Sequence, residues 1–157
     1  MLVVIAPPDR VAVQAPPILN TVDDRLVTIS CLLLVVDDHA GFRSILAAFL
    51  KCHSSVDEVM EASDGNDAIE KANLWHPDLV LMDIHMPNRD GIEATRAIKA
   101  LDPKTIVLMM SMDSTEDYAR SARLVADGYI PKTSVKKNLS AALREMSYGW
   151  SPTPVLV

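Results

Sequence analysis

The sequence predicts an α/β fold, a doubly wound parallel sheet of five strands with helices on both faces. Three observations predict it. Short, continuous apolar runs recur along the chain, as buried parallel strands require. Segments with helical spacing separate them. The five glycines, Gly41, Gly65, Gly91, Gly128 and Gly149, fall at or near the junctions, where turns need them.

The first strand is Leu32-Leu33-Leu34-Val35-Val36, which ends in Asp37-Asp38. A helix follows, with Phe42, Ile45, Leu46, Phe49 and Leu50 at i, i+3, i+4, i+7 and i+8. Val56–Ala62 is a weaker second strand, and the Ala-rich segment Asp64–Trp75 a second helix. Leu79-Val80-Leu81-Met82 is the third strand, followed after Asp90-Gly91 by a helix carrying Ile92, Thr95 and Ile98. Ile106–Met110 is the fourth strand, and Ser114–Val125 its helix. The brief Tyr129-Ile130 is the fifth, and Leu139, Ala142, Leu143 and Met146 mark the last helix. Five βα units joined by right-handed crossovers place helices on both faces of the sheet.

The flanks differ. Pro7, Pro8, Pro16 and Pro17 lie near the start, and Pro152 and Pro154 near the end. Proline removes a backbone donor and fixes φ, so both flanks read as extended tails. The expected organisation is an N-terminal extension over 1–31, a folded domain over 32–148 and a tail over 149–157. Leu26–Ile29 is a candidate additional edge strand. The apolar start, Met1–Ala6, has no basic flank and is too short for a signal peptide or a span, so no membrane association is expected and a cytoplasmic address is. Cys31 and Cys52 have no ligand spacing and read as free thiols. With 157 residues and a net charge of -6, the chain can bury one core and repels phosphate backbones, which argues against nucleic-acid binding by this chain alone.

In an open parallel sheet, chemistry collects at the carboxyl ends of the strands. Asp37-Asp38 ends the first strand, Asp83 the third and Ser111 the fourth, and the fifth runs into Pro131-Lys132. Three carboxylates, a hydroxyl and an ammonium therefore meet at one edge. Taken alone, Asp37-Asp38 is equally a helix cap. Three acids together repel and need a cation, and all-oxygen ligation with room for water suits Mg²⁺ better than zinc.

The stretches Val35-Val36-Asp37-Asp38-His39, Leu79–Pro87, Asp90-Gly91 and Gly128-Tyr129-Ile130-Pro131-Lys132, in this order, resemble the receiver domain of two-component response regulators. Asp-Asp-His followed by Phe42-Arg43, together with Glu61–Gly65 and Gly91–Thr95, resembles its NarL/FixJ subgroup, whose members usually carry a LuxR-type DNA-binding domain. The resemblance implies a flavodoxin/CheY-like (βα)5 sheet with strand order 2-1-3-4-5. It implies that Asp83 accepts a phosphoryl group from a phosphohistidine of a histidine kinase or histidine phosphotransfer protein. Mg²⁺ would be held by Asp38, Asp83 and the His85 backbone carbonyl, with Asp37 acting partly through water. Lys132 would pair with Asp83 and then with the phosphoryl group. Ser111 would swing onto the phosphoryl group and Tyr129 turn inward, changing the outer surface. Such a chain is a signalling switch and not a turnover enzyme, with a homodimer as one option.

Two departures stand out against that family. Met112 follows the switch hydroxyl where a small residue is common, and the stretch between Tyr118 and Gly128 is one residue short. His39, His53 and His76 read as surface or capping residues, Met109 and Met110 as core, and Lys136-Lys137 as a solvated helix start. Three other readings compete: the receiver half of a DNA-binding regulator, a Mg²⁺-dependent phosphohydrolase, and a scaffold that is never phosphorylated. The phosphohydrolase lacks its second acid, because His85 stands two residues after Asp83.

Overall fold

The structure, a computed structural model, describes residues 31–112 and 116–147. Residues 1–30 of the expected N-terminal extension, with the candidate strand Leu26–Ile29, and the expected C-terminal tail lie outside the described residues; Cys31, expected in the extension, is buried in the core. The elements are β1 (Leu32–Val36), α1 (Ala40–Lys51), β2 (Glu58–Ala62), α2 (Gly65–Trp75), β3 (Leu79–Asp83), α3 (Gly91–Leu101), β4 (Ile106–Ser111), α4 (Glu116–Arg123), β5 (Gly128–Pro131) and α5 (Val135–Ser147). A 3₁₀ turn, Lys132–Ser134, joins the last two. All strand pairs are parallel and the order is β2-β1-β3-β4-β5, as expected.

Successive side chains of a strand point to opposite faces, and here both faces are covered. Leu33, Val35, Leu79 and Leu81 pack with Leu46, Ala47 and Leu50 of α1 and Leu139 and Leu143 of α5. Leu34, Val36, Val80 and Met82 pack with Ala68 and Ala72 of α2 and Ala94 and Ile98 of α3. A smaller group, Ile84, Met109 and Ala122, lies under α4. Every residue of β1 and β3 is buried, which is why their runs are apolar throughout. Each fully buried Leu or Val side chain contributes about 1.5–3 kcal/mol relative to exposure. The edge strand β2 buries only Val59 and Ala62, so its pattern is weaker.

One expected core position is corrected. Ile45 is 59% exposed, and Ala47 takes the inward place beside Leu46 and Leu50. The stripe on α1 is rotated relative to the pattern of large residues because Ala47 packs closely against the sheet.

Caps fix where the helices start. The His39 imidazole accepts from the Phe42 amide at 3.1 Å. Asp64 accepts from Asn66 N and Asp67 N, and Asp90 from Glu93 N at 2.8 Å. His76 ends α2 in the left-handed conformation at φ 47°. At the edge where the strands begin, Asp78 Oδ2 accepts from Leu32 N and Asp127 Oδ2 from Val107 N, both at 2.8 Å. Cys31 is buried beside this edge, and burial, together with the charges of Asp78 and Asp57, pushes its thiol pKa up to about 12. Cys52, at the end of α1, is exposed. Among the described residues, no helix is long and apolar enough to cross a membrane.

Candidate functional site

The strand ends bring the acids together. Asp37, Asp38 and Asp83 each offer a carboxylate oxygen, and these oxygens lie within 4.8 Å of one another. Asp37 is completely buried, Asp83 is 3% exposed and Asp38 faces solvent. The parallel register sets this arrangement: Val36 pairs with Met82 and with Ala62, so Asp37 and Asp83 end adjacent central strands at one level.

Lys132 enters from the end of β5. Its Nζ lies 2.7 Å from Asp37 Oδ2 and 2.9 Å from Asp83 Oδ2. The sequence-based expectation named only the Asp83 contact; the ammonium bridges both acids. It also stands 4.9 Å above the centre of the Phe42 ring, a position in which the ring face attracts a cation. Desolvation works against the charged form of Lys132, but hydrogen bonds to Asp37 and Asp83 and their charges outweigh it, and its pKa is raised. Burial likewise pushes the Asp83 carboxyl above the ordinary value; Lys132 opposes the shift and the charge of Asp37 adds to it.

Asp37 is held on all sides. Its amide donates to Ala62 O at 3.2 Å, and its Oδ1 accepts from His39 N at 2.9 Å. Apart from the Lys132 ion pair, its buried Oδ2 has no donor among the described residues. Two of the three carboxylates thus share one ammonium, and the excess negative charge at a partly open, all-oxygen site fits a hard divalent cation.

Ser111 is buried at the end of β4, one residue beyond Met110, which pairs with Asp83. It pairs in turn with Pro131, next to Lys132. His85 is exposed, and its backbone amide approaches Asp83 Oδ1 at 3.4 Å. An open cleft of about 420 Å³ beside the acids is lined by Asp38, His85, Pro87 and Asp90, among others. Tyr129 is half-buried against Ile84, Met109 and Ala122. Met112 is 68% exposed at the rim of this edge. The first acids are not the cap of α1: its N-cap is His39, and Asp37 accepts from His39 N ahead of the helix.

Two contributors were not legible as such. Arg43 donates from Nη1 to the Asp37 carbonyl oxygen at 2.6 Å. A long helical side chain points back towards the helix N-terminus, so a basic residue one turn into α1 was the available signal. Gly91, expected only as a junction residue, sits so close to β3 that a methyl group there would overlap the Asp83 carbonyl oxygen. The absence of a side chain lets α3 start directly beneath Asp83.

Residues 33–144 match the model of the response regulator receiver domain. The chain is 38% identical over 120 residues to the response regulator protein VraR of Staphylococcus aureus, covering 76% of this chain and 57% of that protein. It therefore spans little more than half the length of this relative. The receiver domain of the putative response regulator NarL of Mycobacterium tuberculosis superposes with a TM-score of 0.70 at 30% identity, covering 77% of this chain and 98% of that one. The response regulator domain of Thermotoga maritima CheB does so with a TM-score of 0.67 at 30% identity, covering 78% of this chain and 99% of that one. With the sheet order, the acidic cluster and the strand-end lysine in place, the chain belongs to the response regulator receiver domain family.

Proposed function

We propose that the chain is a phosphorylation-controlled switch in which Asp83 takes a phosphoryl group from a phosphohistidine of a histidine kinase or histidine phosphotransfer protein. The observation that carries this reading is the burial of Asp83 at a strand end, between the two other acids and the ammonium of Lys132. A carboxylate is a modest nucleophile, so catalysis rests on position and charge. An oxygen of Asp83 forms the new bond to phosphorus while the P–N bond breaks, its electron pair staying on the imidazole nitrogen. Asp38, Asp83 and the His85 carbonyl would hold Mg²⁺, with Asp37 behind them; the bound ion would neutralise charge on the transferring group.

Lys132 holds Asp83 in place beforehand and afterwards donates to a phosphoryl oxygen. Ser111, one residue along the neighbouring strand, donates to another. Tyr129, packed under α4, responds to that displacement and alters the outer surface of α4, β5 and α5. The new charge then biases an equilibrium between two packings. The chain acts in the cytoplasm as a signalling module rather than as a turnover enzyme, and a homodimer would form through its outer helix faces.

The test is intact mass after incubation with Mg²⁺ and acetyl phosphate, for the wild type and for Asp83→Asn. Gain of one phosphoryl group by the wild type alone is expected. Gain by both would make another residue the acceptor. No gain by the wild type, with acetyl phosphate or with a phosphorylated kinase, would overturn the reading.

A second reading takes the chain as the receiver part of a DNA-binding transcriptional regulator. It is favoured by the likeness to VraR, of which the chain covers 57%, and to a two-component response regulator of the LuxR family from Aurantimonas at 30% identity and a TM-score of 0.70, covering 76% of this chain and 86% of that one. Reading the gene beyond Val157 for an encoded helix-turn-helix tests it.

A further inference from the structure

We propose that Arg43 is a positioning residue for the cation at the acidic cluster, acting through the peptide that joins Asp37 to Asp38. The inference rests on the proposed function above and names a further residue of that site. Arg43 Nη1 meets the Asp37 carbonyl oxygen at 2.6 Å, and its Nε meets Glu61 Oε2 at 3.3 Å. Its side chain is 17% exposed, whereas that of Glu61 is 35% exposed.

The carbonyl it grips belongs to the peptide between a buried acid and an exposed one. That peptide is planar, so fixing its oxygen fixes the plane and, with it, the place of the Asp38 Cα from which the carboxylate is carried. The other side of Asp37 is already held, by its amide on Ala62 O. Asp38 is the acid with fewest restraints of its own: it is exposed, and no hydrogen bond to its carboxylate is seen among the described residues. Arg43 therefore removes freedom that cation binding would otherwise have to remove.

The guanidinium also places a positive charge near a site for another positive charge. Glu61 offsets it. Glu61 is itself anchored, because Lys71 Nζ donates to its backbone oxygen at 2.6 Å and pairs with Asp67 at 2.9 Å. The Asp67 carboxyl, in turn, accepts from Ser63 N at 3.0 Å. A bracket running from α1 through β2 to α2 thus ends on the Asp37 carbonyl.

Positioning and charge predict opposite signs. If the bracket positions Asp38, Arg43→Ala weakens cation binding; if Arg43 matters only as a charge, its loss tightens binding. Supporting groups behind metal ligands typically change affinity by about 10–100-fold, and the lower end is expected here. The experiment is calorimetric titration of the full chain with Mg²⁺, with Mn²⁺ binding followed by EPR as a second readout. The expected result is a Kd about tenfold weaker in Arg43→Ala, partly restored in Arg43→Lys, with phosphorylation by acetyl phosphate slowed at low Mg²⁺ and recovered at saturation. An unchanged or tighter Kd in Arg43→Ala while the wild type binds would overturn the inference alone. Failure of the wild type to bind would overturn the reading of the site, and this inference with it. Should Arg43→Ala not fold, Arg43→Lys and Arg43→Gln carry the same comparison, and equal affinity of both with the wild type would count against it.

Discussion

Aspartates stand at both ends of this sheet, and their surroundings differ. Where the strands begin, Asp78 and Asp127 each accept a hydrogen bond from a strand amide at 2.8 Å, and Lys99 pairs with Asp127. Asp78 also donates its own amide to Leu32 O, so β1 and the approach to β3 are laced together there. Where the strands finish, Asp37, Asp38 and Asp83 crowd within 4.8 Å, with one lysine for the two buried ones. At the first end each charge meets a directional donor and stabilises the fold. At the second the charges oppose one another, and folding carries a cost that a cation or a phosphoryl group can later relieve.

The sharpest way to break this comparison is Asp83→Asn. Phosphoryl gain by intact mass is expected to vanish, while thermal stability without Mg²⁺ rises, because a carboxylate disfavoured by burial and by Asp37 is replaced by a neutral amide. A fall in melting temperature would mean that the Lys132 ion pair outweighs the repulsion. Next in size is Gly91→Ala, whose methyl group overlaps the Asp83 carbonyl oxygen. Displacing an acceptor by about 1 Å costs roughly a hundredfold in rate, so phosphorylation by acetyl phosphate should slow by about that factor. A rate within twofold of the wild type would show that α3 can yield without moving β3.

Asp78→Ala probes the other end. Leaving the Leu32 amide without its acceptor should cost about 1–3 kcal/mol in urea denaturation, with the phosphorylation rate of the folded protein unchanged. A large loss of phosphorylation would mean that the two ends are not independent. The smallest effect is in pH. Lys132 has a raised pKa, so its stabilising contribution is complete below the ordinary lysine value of about 10.4 and is lost as pH rises through the folded-state value. The metal-free protein should weaken above that point, and Lys132→Met should not. Asp83, raised as well, favours the fold most when protonated. Its contribution falls as pH rises from the ordinary carboxylate value of about 3.9 through the folded-state value, so the advantage of Asp83→Asn should grow over that window.

The central strands were readable because burial on both faces leaves nothing but apolar residues until the chain reaches the acidic edge. β1 and β3 were therefore legible with their terminal acids, and the sheet order followed from family likeness rather than from pattern. The edge strand was placed two residues early, at Val56, because only Val59 and Ala62 are buried within it. Ile45 fits the helical spacing of large apolar residues yet faces solvent, because the close contact on α1 is made by the small Ala47. The last helix begins at Val135, four residues before Leu139, since Val135 is buried while Lys136 and Lys137 face solvent. Arg43 and Gly91 act through backbone oxygens, and neither a carbonyl's direction nor a missing methyl leaves a periodic trace in sequence.

The two cysteines have a practical consequence. Cys31 is shut in beside the first amide of β1 with its thiol pKa at about 12, so it offers almost no thiolate at neutral pH, whereas Cys52 is exposed. Towards a maleimide the folded chain is thus a single-thiol protein, ready for a dye at the end of α1 without mutagenesis. The slow second alkylation, at Cys31, would count openings of the sheet edge opposite the acids.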